Sequence, residues 1–146
     1  MSLGKVRGGE LLALAGAVCV IVSLLLRWYE TSASGTLGAW DTFGVGVVLL
    51  LLAAAGALWL FIVTLAEGST ALAVEAAVWS VPLGIAGLIA AIVRVLERPD
   101  HATGVCGGAW LALAGAAAIL AGGWLAVSDE RNSLYPPATP ETRPRP

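Results

Sequence analysis

The chain has 146 residues, of which 58% are hydrophobic and 12% are charged, with a mean hydropathy of +0.87 and a formal net charge of −2. Soluble domains average about 45–50% apolar and about 25% charged residues, so a soluble domain of this length could not bury so much apolar surface. The absence of a basic run argues against nucleic acid as a partner, and the excess apolar surface indicates the lipid bilayer instead.

Four apolar runs are long enough to cross a bilayer, whose hydrocarbon core of about 30 Å needs about 20 helical residues. Charged residues lie only at the ends of each run. We therefore predict a short basic segment over residues 1–9 and a proline-rich, disordered tail over residues 128–146. Between them we predict four membrane-spanning helices over residues 10–27, 43–66, 76–94 and 105–127.

Short connectors force sequential helices to run antiparallel. The predicted fold class is all-α, an integral-membrane bundle of four helices in up-down-up-down order. A cleaved signal peptide is the alternative for the first helix, but its apolar run Leu11–Leu26 exceeds the usual signal length, which favours a retained span. We predict that the chain lies in the cell (inner) membrane. The distribution of Lys and Arg favours an orientation with both termini in the cytoplasm.

Residues 8–17 (GGELLALAGA) and 107–116 (GGAWLALAGA) are identical at eight of ten positions. We interpret the match as chance rather than duplication, because the copies open antiparallel helices and nothing else in the chain repeats at this offset. The spacing of four predicts helix-packing ridges of small residues. These ridges pack the helices within one chain or, alternatively, dimerise the protein. Their members are Gly9, Ala13 and Ala17, then Gly108, Ala112 and Ala116, and then Ala114, Ala118, Gly122 and Ala126.

The sequence carries no recognisable catalytic apparatus. No ionisable residue lies inside a predicted span, where catalytic and transport groups usually stand out. Cys19 and Cys106 lie at different depths, and the single histidine, His101, is far from a metal-binding set. We therefore predict no enzymatic activity, no metal and no cofactor.

The connectors after the first and third helices lie at the same membrane face and gather mixed charges with aromatic side chains. Such a rim is typical of interfacial anchoring, and the alternative is a binding site for a headgroup, a peptide or a partner protein. We predict that Trp110 lies at the same membrane interface as these connectors. Trp79 and Trp124 should lie near the opposite interface, and Trp59 less closely so. The cluster comprises Arg27, Trp28, Tyr29, Glu30, Trp40, Asp41, Arg94, Glu97, Arg98, Asp100 and His101.

The segments SLLLRWYE, GAWDTFG and VRVLERPD, together with GAWLALAGAAAILAGGWLAVSDE, resemble a group of small four-span membrane proteins from high-GC bacteria. The resemblance covers most of residues 5–131. It departs at Arg27, where the group usually has a proline and a tight turn. The group has no known function, so the resemblance implies the four-span layout and no active site.

We expect a structural or accessory membrane protein that packs with itself or with a larger membrane complex. The alternative is a small oligomeric transporter or channel. The interior of the bundle separates the two, because a transporter needs a water-accessible cavity that reaches Glu10 or Ser23, whereas an accessory protein is packed dry.

Overall fold

The computed structural model describes residues 8–32, 35–42, 44–66, 70–100 and 102–134. The predicted basic segment, apart from residues 8 and 9, and the tail from residue 135 lie outside the described residues. In chain order the elements are α1 (Gly8–Leu25), β1 (Arg27–Thr31), β2 (Thr36–Gly38), α2 (Ala39–Thr42), α3 (Val45–Leu65), α4 (Thr70–Leu96), β3 (Ala102–Val105) and α5 (Gly107–Leu134).

Four of these helices are long and apolar enough to cross a membrane, as the sequence predicts. Their qualifying stretches are Gly8–Leu25, Val45–Leu65, Glu75–Leu96 and Gly107–Asp129. The predicted ends agree to within a few residues, with two differences. Helix α4 begins earlier, at Thr70, and α5 continues to Leu134, so residues 128–134 are helical rather than part of a disordered tail.

The four long helices pack in a closed ring, in which α1 contacts α3 and α5 while α4 contacts α3 and α5. Alanine and glycine predominate in the interior beside a few larger residues such as Leu50 and Ile119. Many large aliphatic side chains point outwards, for example those of Leu25, Val48 and Ile89. This distribution is the reverse of a soluble bundle, where the large side chains form the core. Fully buried alanines line the ring, including Ala13, Ala17, Ala53, Ala57, Ala112 and Ala116.

The closest contact in the ring joins the backbones of α1 and α5. A Cβ atom added at Gly16 would lie 2.6 Å from the carbonyl oxygen of Gly115. A Cβ added at Gly122 would lie 2.5 Å from the carbonyl oxygen of Gly9. Real Cβ atoms do not approach so closely, so only glycine permits this separation, which maximises dispersion contacts between the two helices.

Most members of the predicted packing ridges are buried. These are Gly9, Ala13, Ala17, Gly108, Ala112, Ala116, Gly122 and Ala126. The two other members lie off the packed face, because Ala114 is exposed and Ala118 only half-buried. A strict spacing of four drifts around a helix of 3.6 residues per turn. The face that meets α1 therefore alternates spacings of three and four, as in Gly115, Ile119 and Gly122.

The repeated decapeptide occupies equivalent positions in this antiparallel helix pair. The third glycines of the two copies meet each other, since Gly16 and Gly115 are the same position of the decapeptide. The copies differ at only two positions. Leu11 and Trp110 both point outwards, whereas Glu10 has Thr64 of α3 within 3.5 Å and its counterpart Ala109 is fully buried. The differences thus fall where the surroundings of the two copies differ or where both side chains point away from the ring.

The remaining helix contacts also rely on small residues. Gly56 of α3 leaves room for Leu83 of α4, and Gly87 of α4 leaves room for Ala53. Gly123 of α5 lies against the Ser80 hydroxyl. Pro82 lies inside α4, where it removes one backbone N–H donor, and its side chain is exposed.

Replacing Gly115 with alanine tests the backbone contact. Helix propensity alone predicts a gain of about 1 kcal/mol. The new Cβ would lie 2.8 Å from the carbonyl oxygen of Gly16, so we expect a loss of about 1–3 kcal/mol in the free energy of unfolding in detergent micelles. Gly107→Ala is the matched control, because nothing lies within 4 Å of its added Cβ. Equal stability changes in the two variants would contradict the contact.

Candidate functional site

The two connectors that the sequence places at one face form a three-stranded antiparallel sheet, which the all-α prediction lacks. Strand β1 lies at its centre, between β2 and β3. Tyr29 pairs with Val105 of β3, and Arg27 pairs with Gly38 of β2. We call β1, β2, β3, the single-turn helix α2 and the connector residues 97–100 the strand cap. It lies across the ends of α1 and α4 and the start of α5.

Trp28 ties the strand cap to α1 and α5. Its side chain is fully buried, and its indole Nε1 donates a hydrogen bond of 2.7 Å to the carbonyl oxygen of Ser23. Ser23 lies in the last turn of α1, and its carbonyl oxygen also accepts a hydrogen bond of 3.1 Å from the Leu26 N–H, so the indole is a second donor at this helix end. The Trp28 carbonyl in turn accepts a 2.7 Å hydrogen bond from the backbone N–H of Cys106, just before α5. One residue therefore caps one helix and fixes the start of another.

Tyr29 makes the corresponding connection to α4. Its side chain is fully buried, and its hydroxyl donates a hydrogen bond of 2.6 Å to the carbonyl oxygen of Arg94, in the last turn of α4. The rings of Trp28 and Tyr29 are tilted against each other, with centroids 6.4 Å apart. Burial raises the pKa of Tyr29 above its ordinary value, and the nearby Arg94 guanidinium opposes this effect.

The anchoring interpretation is wrong for Trp28 and Tyr29, which lie in the interior rather than at an exposed rim. Successive side chains of a strand normally point to opposite faces. The register shifts between Arg27 and Tyr29, and both aromatic side chains are buried there. Trp40 and Trp110 are exposed, as the anchoring interpretation requires.

The charged members of the cluster come from β1, α2, the last turn of α4 and the connector before β3. Arg94 is half-buried. Asp41 accepts a 2.9 Å hydrogen bond from the backbone N–H of Gly38, and Thr42 donates one of 3.1 Å to the Gly38 carbonyl, so both fix α2 rather than a ligand. His101 is outside the described residues. The exposed charges are those of Arg27, Glu30, Asp41, Glu97, Arg98 and Asp100.

The described interior holds few polar side chains, and its two buried serines donate hydrogen bonds within their own helices. Ser23 and Ser80 are fully buried and donate hydrogen bonds to the carbonyl oxygens of Val20 and Ala77, at 2.6 and 2.8 Å. Across the described part of the chain, no buried side-chain nitrogen or oxygen lacks a hydrogen-bond partner. Nor do those residues include a group of three His, Cys, Asp or Glu that could hold a metal ion.

A groove that sequence reasoning missed lies on the outside of α4 and α5. Its volume is about 620 Å³ and its lining is apolar throughout. The exposed alanines Ala117 and Ala121 of α5 leave space there between larger side chains. Neither alanine was singled out from the sequence. The lining residues are Val81, Ile85, Leu88, Ala117, Leu120, Ala121, Trp124 and Leu125.

No protein-family model, no curated protein and no solved structure matches this chain. Its function has to be inferred from its own contacts, burial and chemistry.

Replacing Tyr29 with phenylalanine tests the connection between the strand cap and α4. The variant keeps the ring but leaves the Arg94 carbonyl without its hydroxyl donor, so we expect a loss of about 1–3 kcal/mol in the free energy of unfolding. Thr103→Val is the control, since the exposed Thr103 hydroxyl donates only a 3.3 Å bond to the Glu30 carbonyl. We expect that change to stay within about 0.5 kcal/mol. Equal losses would contradict the role of Tyr29.

The raised pKa of Tyr29 predicts a pH dependence of stability. An unfolded tyrosine ionises near pH 10, at about its ordinary pKa. Tyr29 in the folded protein ionises at higher pH, so its contribution is constant below about pH 10 and is lost as the pH rises through the folded pKa. Unfolding measured between about pH 8 and about pH 11 should show this alkaline decline. We expect a smaller decline in Tyr29→Phe, and an unchanged one would contradict the prediction.

Proposed function

We propose that the protein is a multi-pass inner-membrane protein with a structural or accessory role, and that its helices form an up-down-up-down bundle in the bilayer. The observation that carries this proposal is the described interior. It is filled mainly by small apolar residues, and its buried serines donate their hydrogen bonds within their own helices. Large aliphatic side chains on the outside suit contact with acyl chains. The group of small four-span proteins from high-GC bacteria remains the family we propose.

In the proposed orientation the termini lie in the cytoplasm and the strand cap lies on the outer side. Lys5, Arg7 and Arg131 flank the spans on the terminal side. Cationic residues near span ends favour the cytoplasmic side. On the opposite side, Arg27 and Arg98 of the strand cap and Arg94 of α4 are balanced by acidic side chains.

The strand cap is the part of the protein best suited to a protein partner. Its aromatic side chains are used inside, where they fix the helix ends, and its charges are presented outside on a hydrogen-bonded sheet. A rigid platform loses little conformational freedom on binding, which favours recognition. We propose that the exposed charges of Glu30, Glu97 and Arg98 select a membrane-protein partner.

Purification from native membranes in a mild detergent, followed by mass spectrometry of the retained proteins, tests the accessory role. We expect one partner in near-equal amount. The variant Glu30→Lys changes an exposed charge that a partner would contact and should reduce the recovery of that partner by about tenfold. Thr36→Val, also exposed but uncharged, is the control. Purification without any partner would contradict the accessory role.

A small oligomeric transporter is the second candidate, and the burial of the Glu10 carboxyl group between α1 and α3 is the observation that favours it. Glu10 is only 9% exposed and lies 3.5 Å from the Thr64 hydroxyl oxygen. A transporter that uses this carboxyl group should lose proton-coupled flux in vesicles when Glu10 is replaced by glutamine. Flux that persists in Glu10→Gln would remove this candidate, because the described span interiors hold no other acid.

A further inference from the structure

The groove outside α4 and α5 is closed at its back, because the two helices touch behind it. A Cβ atom added at Gly84 would lie 3.1 Å from the α-carbon of Leu120. A Cβ added at Gly123 would lie 2.5 Å from the Ser80 hydroxyl oxygen. The groove is therefore a depression in the outer surface of the described helices.

The groove lies in one half of the apolar span. On α5 its lining runs from Ala117 to Leu125, about 12 Å along the helix. The candidate span of this helix is Gly107–Asp129. The groove thus begins about 6 Å inside Asp129 and ends about 18 Å inside it, near the middle of the span. In a bilayer that the helices cross, it belongs to the leaflet on the side of the chain termini.

The chemistry of the lining restricts what can fill the groove. Ala117 and Ala121 leave the space that the larger side chains of Ile85, Leu88 and Trp124 surround. The lining carries no charged side chain, and its surface is apolar throughout. A water molecule needs two to four polar partners, which this surface does not offer, and an empty groove forfeits dispersion contacts. The groove therefore suits an apolar occupant.

The extent of the groove distinguishes between two kinds of apolar occupant. A membrane-spanning helix of a second copy has a diameter of about 10 Å and crosses both leaflets, about 30 Å. The groove covers about 12 Å and one leaflet only. An acyl chain starts at the headgroups of one leaflet and ends near the bilayer centre, which are also the limits of the groove.

The groove is continuous with the outer surface that meets lipid in the proposed span, because Ile85, Trp124 and Leu125 are exposed along it. Trp124 lies at the end nearer Asp129, and indole rings prefer the region beside the headgroups. We propose that the groove holds one acyl chain of a phospholipid from the leaflet on the side of the termini. This inference rests on the proposed span of the membrane and adds a lipid ligand, which the uncharged lining recognises by its chain rather than by its headgroup.

The test uses the full chain in phosphatidylcholine vesicles that contain a trace of phosphatidylcholine with a diazirine in the middle of one saturated chain. Irradiation releases nitrogen and leaves a carbene, which bonds to the side chains beside it. Mass spectrometry of the digested protein then locates the adducts. We expect about threefold more adducts on the residues that line the groove than on the outward faces of α1 and α3, because a packed chain stays in contact longer than a passing one.

Replacing Ala121 with leucine tests the groove itself. The larger side chain fills the space that the acyl chain would occupy, so the adducts at the groove should fall about fivefold. Ala117→Leu should give the same loss from the other end of the groove, so that the test does not depend on one variant. Ala114→Leu is the matched control, because Ala114 is an exposed alanine of the same helix outside the groove. We expect this control to leave the adducts unchanged.

The variant Ala121→Cys detects a second copy in the groove. If two copies packed through this face, oxidation by copper phenanthroline in the vesicles would join the two introduced cysteines in a disulfide. Mass spectrometry would identify the linked peptides. We expect no such dimer, and its formation would overturn the proposal and assign the groove to a second copy.

Flotation of the vesicles and resistance to alkaline extraction establish separately whether the protein is integrated. Adducts that concentrate at the groove and are lost in Ala121→Leu but kept in Ala114→Leu support the proposal. Adducts of an integrated protein that spread evenly over the outward faces, or that persist in both Ala121→Leu and Ala117→Leu, overturn it while the membrane span stands. A protein that does not float overturns both.

Discussion

The contact between the backbones of α1 and α5 is the constraint on which the rest of the structure depends. Acyl chains are as apolar as leucine, so helices in lipid gain little from burying large aliphatic side chains against each other. Close approach at Gly9, Gly16, Gly115 and Gly122 supplies dispersion contacts in their place. The remaining helices follow the same rule through Gly56, Gly84, Gly87 and Gly123. The large side chains are then left on the outside, which is the surface that a lipid environment accepts.

The strand cap follows from how the ring ends. Antiparallel packing brings the end of α1 beside the start of α5, so β1 and β3 become neighbours although they lie more than 70 residues apart in the chain. Helix ends expose carbonyl groups, and Trp28 and Tyr29 satisfy one such group each from within the sheet. Trp28 and Tyr29, which look like interfacial anchors in the sequence, therefore act as internal donors to helix-end carbonyl groups. What remains outside is a surface of exposed charged side chains.

The four long apolar helices were predictable, because the length of an apolar run and the charges at its ends are local properties of the sequence. The meeting of the two connectors at one face was also predictable, from helix number alone. The strands were not, because RWYET and ATGV are short and pair only through distant contacts. Nor could the sequence separate Trp28, which is buried, from Trp40, which is exposed, since both stand beside a span end. The outward direction of Ala114 was missed because a spacing of four only approximates the helical period.

The most direct test of the account measures the α1–α5 contact without changing a side chain. Chemical synthesis of the chain allows one carbon-13 label at the α-carbon of Gly16 and another at the carbonyl carbon of Gly115. Solid-state NMR in lipid bilayers then measures the dipolar coupling between the two labels. The account predicts the strong coupling of backbones in van der Waals contact, at about 4–5 Å. The absence of measurable coupling in an integrated, folded sample would contradict it.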